Sequence, residues 1–424
     1  MSLLRTIKDT TLRIVGAVGV LTASILGTSL VFAAEPIKLG LGMAQSGSYA
    51  GNGKAALLTV QMWADEVNAK GGLIGRPIQL FYYDDQSNPA QVPAIYQKLL
   101  DIDKVDLLMT GYGTNVIAAS LPTIMRSKKV AISIFGVAAN EQFKYDRYFQ
   151  VQPNGPRARL TFSQGFFETA MTMEPKPKSV AILATDSEFP NAASEGAREW
   201  AKKFDLRVVY DKTFPPTTVD FAPVMRAVQA SNPDIIYIAC FPPDTVGIIK
   251  TINEMGYKPK MIGGNMVGPQ YASIKTQLGP LLNGVVGFEE YVPEPTLNFP
   301  GINDFLSRYQ AKAAAAGVDP LGFYLPPYVY AGLQMLGNAV EATKGLDQGA
   351  ITDYLRKTTH KTVVGDIKYG PDGEWEKERT LFVQYQGISG NTIDQFKQAG
   401  RQVILFPPEY KSGTVFYPYG SDKK

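Results

Sequence analysis

The 424-residue chain carries 42 Lys and Arg against 39 Asp and Glu, with a single Cys (Cys240) and a single His (His360). That balance gives no electrostatic footprint for nucleic acid, and one Cys excludes an internal disulfide or a Cys-rich metal site. One His excludes a His-based metal cluster and leaves acid–base chemistry to carboxylates, Lys or Tyr.

In chain order, the first segment reads as a leader. Arg5, Lys8 and Arg13 make a basic start, Ile14 to Phe32 is free of charge, and Val31-Phe32-Ala33-Ala34 closes the run with small residues. This is the pattern of a secretory signal peptide over residues 1–33, cleaved after Ala33 or Ala34. An uncleaved anchor is the competing reading, because the apolar run approaches the length of a membrane span. With no Cys after the run, lipid attachment there is excluded. Cleavage removes Arg5, Lys8, Arg13 and Asp9 and leaves 39 basic against 38 acidic residues, with no stable membrane insertion expected of the remainder.

Strand and helix patterns then alternate. Ile37 to Met43 alternates as a strand, Ala56 to Val67 recurs at helical spacing up to Gly71-Gly72, and Ile78 to Tyr83 is a second strand. A helix over Pro89 to Leu100, a strand Val105 to Met109, a helix Asn115 to Arg126 and a strand Val130 to Ile134 follow. The rhythm breaks over Tyr145 to Pro156 and restarts with strands at Ser179 to Ala184, Leu206 to Tyr210, Asp234 to Ala239 and Lys260 to Ile262. Helices over Asn191 to Lys203, Asp220 to Ala230 and Asp244 to Met255 alternate with them. This order predicts two successive α/β units with mostly parallel, doubly wound sheets. Beyond a strand at Val285 to Phe288, helices are read at Ile302 to Ala316, Pro327 to Ala342 and Gln348 to Lys357, then a hairpin-rich stretch from Lys361 to Gln386. The chain after Ile388 gives no assignable pattern.

Chemistry-bearing motifs are few. Gly47, Gly51 and Gly53 between a strand and a helix suit an anion-binding turn, with Tyr49 and Asn52 in the same turn, but there is no nucleotide-binding glycine pattern. The Asp84-Asp85 pair has nothing nearby to complete a metal or catalytic set and reads as a turn and helix cap. Cys240 reads as buried, His360 as exposed, and Ser133 and Ser163 lack a nucleophile context. No enzyme chemistry, metal site or cofactor is expected. More informative are the groups released just past strand ends: Thr114 and Asn115, Phe135 and Gly136, Phe189, Phe241, and Asn265 with Met266. In an open α/β sheet, ligands sit outside the carboxyl ends of strands, so these residues predict a mostly apolar pocket with a few polar handles.

Several segments together resemble the periplasmic solute-binding proteins of ABC transporters for branched-chain amino acids. They are Tyr49-Ala50-Gly51, Val67 to Gly72, Gly75-Arg76-Pro77, Asp84-Asp85 with Asn88-Pro89, Asp220-Phe221-Ala222, Asn232-Pro233-Asp234 and Met255-Gly256-Tyr257. The resemblance implies a type I periplasmic binding fold: two α/β lobes joined by three crossings, closing on a small-molecule ligand that is delivered to an inner-membrane ABC permease. It places lobe 1 at 35–153 plus 290–377, lobe 2 at 154–289 plus 378–388, crossings near 150–156, 286–292 and 375–381, and a tail 389–424 outside both. It also implies that Thr114, or Asn115, meets a ligand carboxylate, and that Phe189 and Phe241 match ligand-facing aromatics. Where amino acid-binding relatives carry an acid for the ammonium, Asn265 stands here. A buried ammonium without a countercharge costs several kcal/mol, roughly 3–5, so this reading points to a benzoate-type aromatic carboxylate. A branched-chain amino acid, with Glu289 or Glu290 entering the site, an aliphatic amide or urea, and a ligand-sensing receptor role are the alternatives.

Overall fold

A computed structural model describes residues 35–421; the leader reading falls on residues outside that range. The first lobe is built from β1 (Ile37–Gly42), α1 (Ala50–Ala69), β2 (Ile78–Tyr83), α2 (Val92–Asp101), β3 (Leu107–Tyr112), α3 (Thr114–Ser127), β4 (Ala131–Ile134) and β5 (Tyr148–Gln150). The five strands form a parallel sheet in the order β2-β1-β3-β4-β5. β3 and β4 are buried throughout, as strands covered on both faces must be.

The second lobe begins with α4 (Ala158–Ala170) and β6 (Ser179–Thr185). It continues through α5 (Glu188–Lys203), β7 (Arg207–Phe214), α6 (Ala222–Ala230), β8 (Ile235–Cys240), α7 (Pro242–Glu254), β9 (Met261–Met266), α8 (Ala272–Leu278) and β10 (Val285–Glu289). The chain then returns to the first lobe, where α9 (Ile302–Ala316) and α10 (Pro326–Thr343) pack on α1, α11 (Gln348–Lys357) packs on α10, and β11 (His360–Thr362) and β12 (Gly365–Ile367) pair as a hairpin. It crosses a third time to add β13 (Leu381–Tyr385) antiparallel to β10 and β14 (Gln402–Phe406) antiparallel to β13. That sheet runs β14-β13-β10-β9-β8-β6-β7. The two α/β units that the alternation predicts are observed, joined into two lobes by three crossings as the resemblance implies.

Four differences from the sequence reading have physical causes. α4 is absent from the reading because Thr161, Phe162, Ser163, Gly165, Phe166 and Phe167 are all buried, which leaves no polar stripe to set a helical period. β3 and β9 run on through Gly111-Tyr112 and Gly263-Gly264-Asn265-Met266, where glycine signals a loop. The stretch after Ile388 supplies β14, whose apolar run is short and flanked by glycine and proline. His360 is buried rather than exposed: its Nε2 lies 2.9 Å from the Leu355 carbonyl, and Tyr354 and Tyr369 pack against the ring. Burial lowers its pKa, which keeps the ring neutral at pH 7.

The smaller motifs take structural roles. Asp84 accepts from the backbone N–H groups of Gln45 and Gln86, both at 2.8 Å, and from the Ser46 hydroxyl at 2.7 Å. Asp85 accepts from the Ser87 N–H at 2.9 Å, and Asn88 caps the turn that opens α2. Cys240 is buried against the Thr245 hydroxyl. Gly53 is required by packing, since a Cβ there would sit 1.8 Å from the Ala44 carbonyl oxygen.

Candidate functional site

The loops at the carboxyl ends of β3, β4, β6, β8 and β9 converge on one interlobe cavity, about 390 Å³ when counted out to its mouth. Around it runs a closed hoop of seven aromatic rings, six of which line it, with Phe288 behind them. From the first lobe, Tyr49 meets Tyr112 at 5.7 Å between centroids, and Tyr112 meets Tyr324 at 6.2 Å. Tyr324 contacts Phe288 of β10 at 6.2 Å, and the second lobe continues through Phe162 at 4.9 Å and Phe189 at 5.8 Å. Phe189 reaches Phe241 at 5.8 Å, and Phe241 returns to Tyr49 at 5.8 Å. Most of these pairs are edge-to-face or tilted, the arrangements that ring quadrupoles favour. Of the seven contacts in the hoop, two, Tyr49–Phe241 and Phe288–Tyr324, join the lobes. Phe135 packs on Tyr324 at 5.0 Å with a backbone φ of 41°, unusual for a bulky residue and a mark of a constrained loop.

Polar groups sit at one end. Gly113, at φ 98°, turns β3 directly into α3, so the first N–H groups of that helix, at Thr114 and Asn115, have no intrahelical acceptor. The Thr114 hydroxyl oxygen accepts from the Val137 N–H at 3.0 Å, which leaves its proton to donate elsewhere. The Gly136 carbonyl is held by Gln150 at 2.9 Å and Asn154 at 3.2 Å. Among the described residues that line the cavity none is charged. Burial, with Asp85 and Glu188 nearby, pushes the Tyr49 phenol up to about 12, so it stays a neutral hydroxyl.

Seven of the ten sequence-predicted positions come together here: Tyr49, Thr114, Asn115 and Phe135 with Gly136 from one lobe, Phe189 and Phe241 from the other. Three do not line the cavity. Asn52 is buried beside the Tyr112 hydroxyl. Asn265 is fully buried within β9, where its Oδ1 accepts from Tyr237 at 2.5 Å and its Nδ2 donates to the Phe162 carbonyl at 2.8 Å. Met266, the last residue of β9, is buried in the core of the second lobe. The countercharge argument drawn from Asn265 therefore has no footing, because both polar ends of that side chain are spent inside the lobe. Of the glycine turn, Tyr49 lines the cavity, while Gly51 faces the Tyr271 ring and Gly53 packs on Ala44. Tyr112, Phe162, Tyr324 and Gln152 were missed, the first two because β3 was cut short and α4 was not read.

The two alternative acids separate. Glu289 is paired inside the second lobe with Lys275 at 3.1 Å. Glu290 is buried where the chain leaves β10; its Oε1 accepts from the Gln152 side chain at 2.7 Å, and its Oε2 has no partner. Burial is the main cause that pushes its carboxyl up to about 8. Gln152 itself lines the cavity, so Glu290 stands one side chain behind the wall.

Residues 36–387 match the family model described as periplasmic binding protein. The chain is 25% identical over 383 residues to Leu/Ile/Val-binding protein homolog 8 of Brucella suis biovar 1, with 86% of this chain and 92% of the relative covered. It superposes on a branched-chain amino acid transporter substrate-binding protein from Streptococcus pneumoniae in complex with isoleucine, with a TM-score of 0.70, 19% identity, and 88% and 100% of the two chains covered. A solute-binding protein from Rhodopseudomonas palustris BisB5 in complex with 3,4-dihydroxybenzoic acid gives a TM-score of 0.70, 18% identity, and 84% and 94% coverage. A paired-lobe fold, an uncharged interlobe cavity and a family match over nearly all described residues agree, and the chain belongs to the periplasmic binding protein family.

Proposed function

We propose that this protein captures a small carboxylate with an apolar body in the interlobe cleft and presents it to an inner-membrane ABC permease from the periplasm. The observation that carries this reading is the aromatic hoop beside the free N–H groups of α3. The helix N-terminus and the Thr114 hydroxyl supply donors and favourable dipole for a carboxylate, and the rings supply an apolar sleeve for the rest of the molecule. Phe135 to Val137 form the floor against which the carboxylate seats.

The ligand class we favour is a branched-chain amino acid. The named relatives point that way, and the argument against it drawn from Asn265 loses its force because that side chain does not line the cavity. The ammonium then takes its countercharge from Glu290, reached through or in place of the Gln152 amide. A second reading, an aromatic carboxylate of hydroxybenzoate type, is favoured by the uncharged lining and the stacking faces of the hoop, and a similarly folded protein holds such a compound.

A thermal-shift panel decides between them. It contains leucine, isoleucine, valine, 4-hydroxybenzoate, 3,4-dihydroxybenzoate, acetamide and urea. A ligand at ~100 times its Kd adds about 2.7 kcal/mol to stability. Stabilisation by the aliphatic amino acids with silent benzoates supports the first reading, and the converse moves the assignment to the second. If only the amides act, the carboxylate role of α3 is wrong.

A further inference from the structure

A second and larger cavity, about 910 Å³ on the same count, lies on the other side of the Phe135–Val137 turn, walled by residues 138–146, the turn 370–374 and the entry to α4. Its lining is acidic: Glu141, Asp146, Asp372 and Glu374 against a single ammonium, Lys144. Glu141 is engaged by Arg159 at 2.5 Å, and Asp372 accepts from the Glu374 backbone N–H at 3.1 Å. The Asn140 amide is spent on Tyr145 and the Asp372 carbonyl. Glu374 is different. It is 6% exposed, and its Oε2 is buried with no hydrogen-bond partner. Burial raises its pKa well above the ordinary carboxylate range, and Asp372 and Glu141 add to the effect. A carboxyl with an oxygen left without a partner, bordering a cavity, can accept from a donor brought there, and the carboxylates around it favour a cationic donor; the Tyr148 and Tyr369 phenols also stand close to it. Among the described residues no group of three or more His, Cys, Asp or Glu is placed to hold a metal ion, so the missing partner is a hydrogen-bonding cation rather than a coordinated one.

We propose that this cavity is a second binding site, for a small organic cation bearing a primary ammonium whose N–H groups are accepted by Glu374 and Asp372. The site is independent of what the cleft binds. An arriving ammonium favours the ionised form of Glu374, so binding is linked to loss of the proton that burial helps that carboxyl to hold.

The test is calorimetric titration of the purified protein with 1,4-diaminobutane, with butyramide and potassium chloride as uncharged and inorganic controls, in two buffers of different ionisation enthalpy. Expected are saturable binding of the diamine alone, proton release seen as a buffer-dependent heat, at least tenfold weaker binding in Glu374→Gln, and several-fold tighter binding in Lys144→Gln. Lys144→Gln decides the matter if Glu374→Gln does not fold. Absence of saturable binding, binding by potassium equal to that of the diamine, or an affinity indifferent to Lys144→Gln overturns the site.

Discussion

Thr114 and Glu290 carry different parts of the ligand problem, and each can be isolated. Thr114→Ala removes one hydrogen bond to a charged oxygen, worth about 1.5–3 kcal/mol, so the Kd for any carboxylate ligand rises roughly ten- to a hundredfold; calorimetry on whichever panel compound binds measures it. Phe189→Ala instead removes apolar contact, about 2 kcal/mol, and weakens carboxylates and amides alike. Glu290 is read through pH. Its carboxyl titrates at about 8 in the folded chain, against ~4.3 in an unfolded one. Between those values the folded form holds a proton that the unfolded form has lost, so this contribution is complete at acid pH and fades as pH rises through 8. Glu290→Gln should therefore flatten the fall in thermal stability between about pH 5 and 8, with Asp85 and Glu374, also raised by burial, keeping part of it. An unchanged slope would mean that Glu290 is ionised in the empty protein. Asn265 marks the limit of reading single residues from sequence. Its position after a strand was legible, but its hydrogen bonds to Tyr237 and Phe162 come from residues 28 and 103 positions away, and no local pattern announces them.

At the scale of elements, alternating strands and helices were legible wherever one face is polar, as in α2, α9 and α11, and illegible where burial reaches most of the way round, as in α4. The hoop inherits that division: Phe189 and Phe241 sit in turns with clear boundaries, whereas Phe162 lies on the helix that periodicity could not detect. β14 has a role beyond edge pairing. Its Gln402 accepts from Lys275 at 3.2 Å and donates to Glu289 at 2.9 Å, completing a buried ion pair. Truncation after Ile388 leaves that pair short of partners and opens the edge of β13. The expected result is loss of at least ~3 kcal/mol in denaturant unfolding, or outright aggregation; a truncated chain as stable as the full one would show that the second lobe is complete without its last strand.

For the whole molecule, the lobes meet through few and separable contacts. Arg159 of the second lobe pairs with Glu141 of the first at 2.5 Å, and the Ala272 N–H donates to Asp319 across the interface at 2.6 Å. Arg159 and Glu141 are substantially exposed, so their pairing contributes only about 0–1 kcal/mol and does not lock the lobes together. Alternation between open and closed forms, with the ligand favouring the closed one, fits such weak ties. The hoop's ring contacts cross between the lobes at Tyr49–Phe241 and Phe288–Tyr324, so parting of the lobes opens the ring at those two seams. We expect departure of a cleft ligand to be timed by that parting, so that chemically different captives share one upper limit on how fast they escape; stopped-flow release rates that track affinity with no common ceiling would show that ligands leave by the mouth instead.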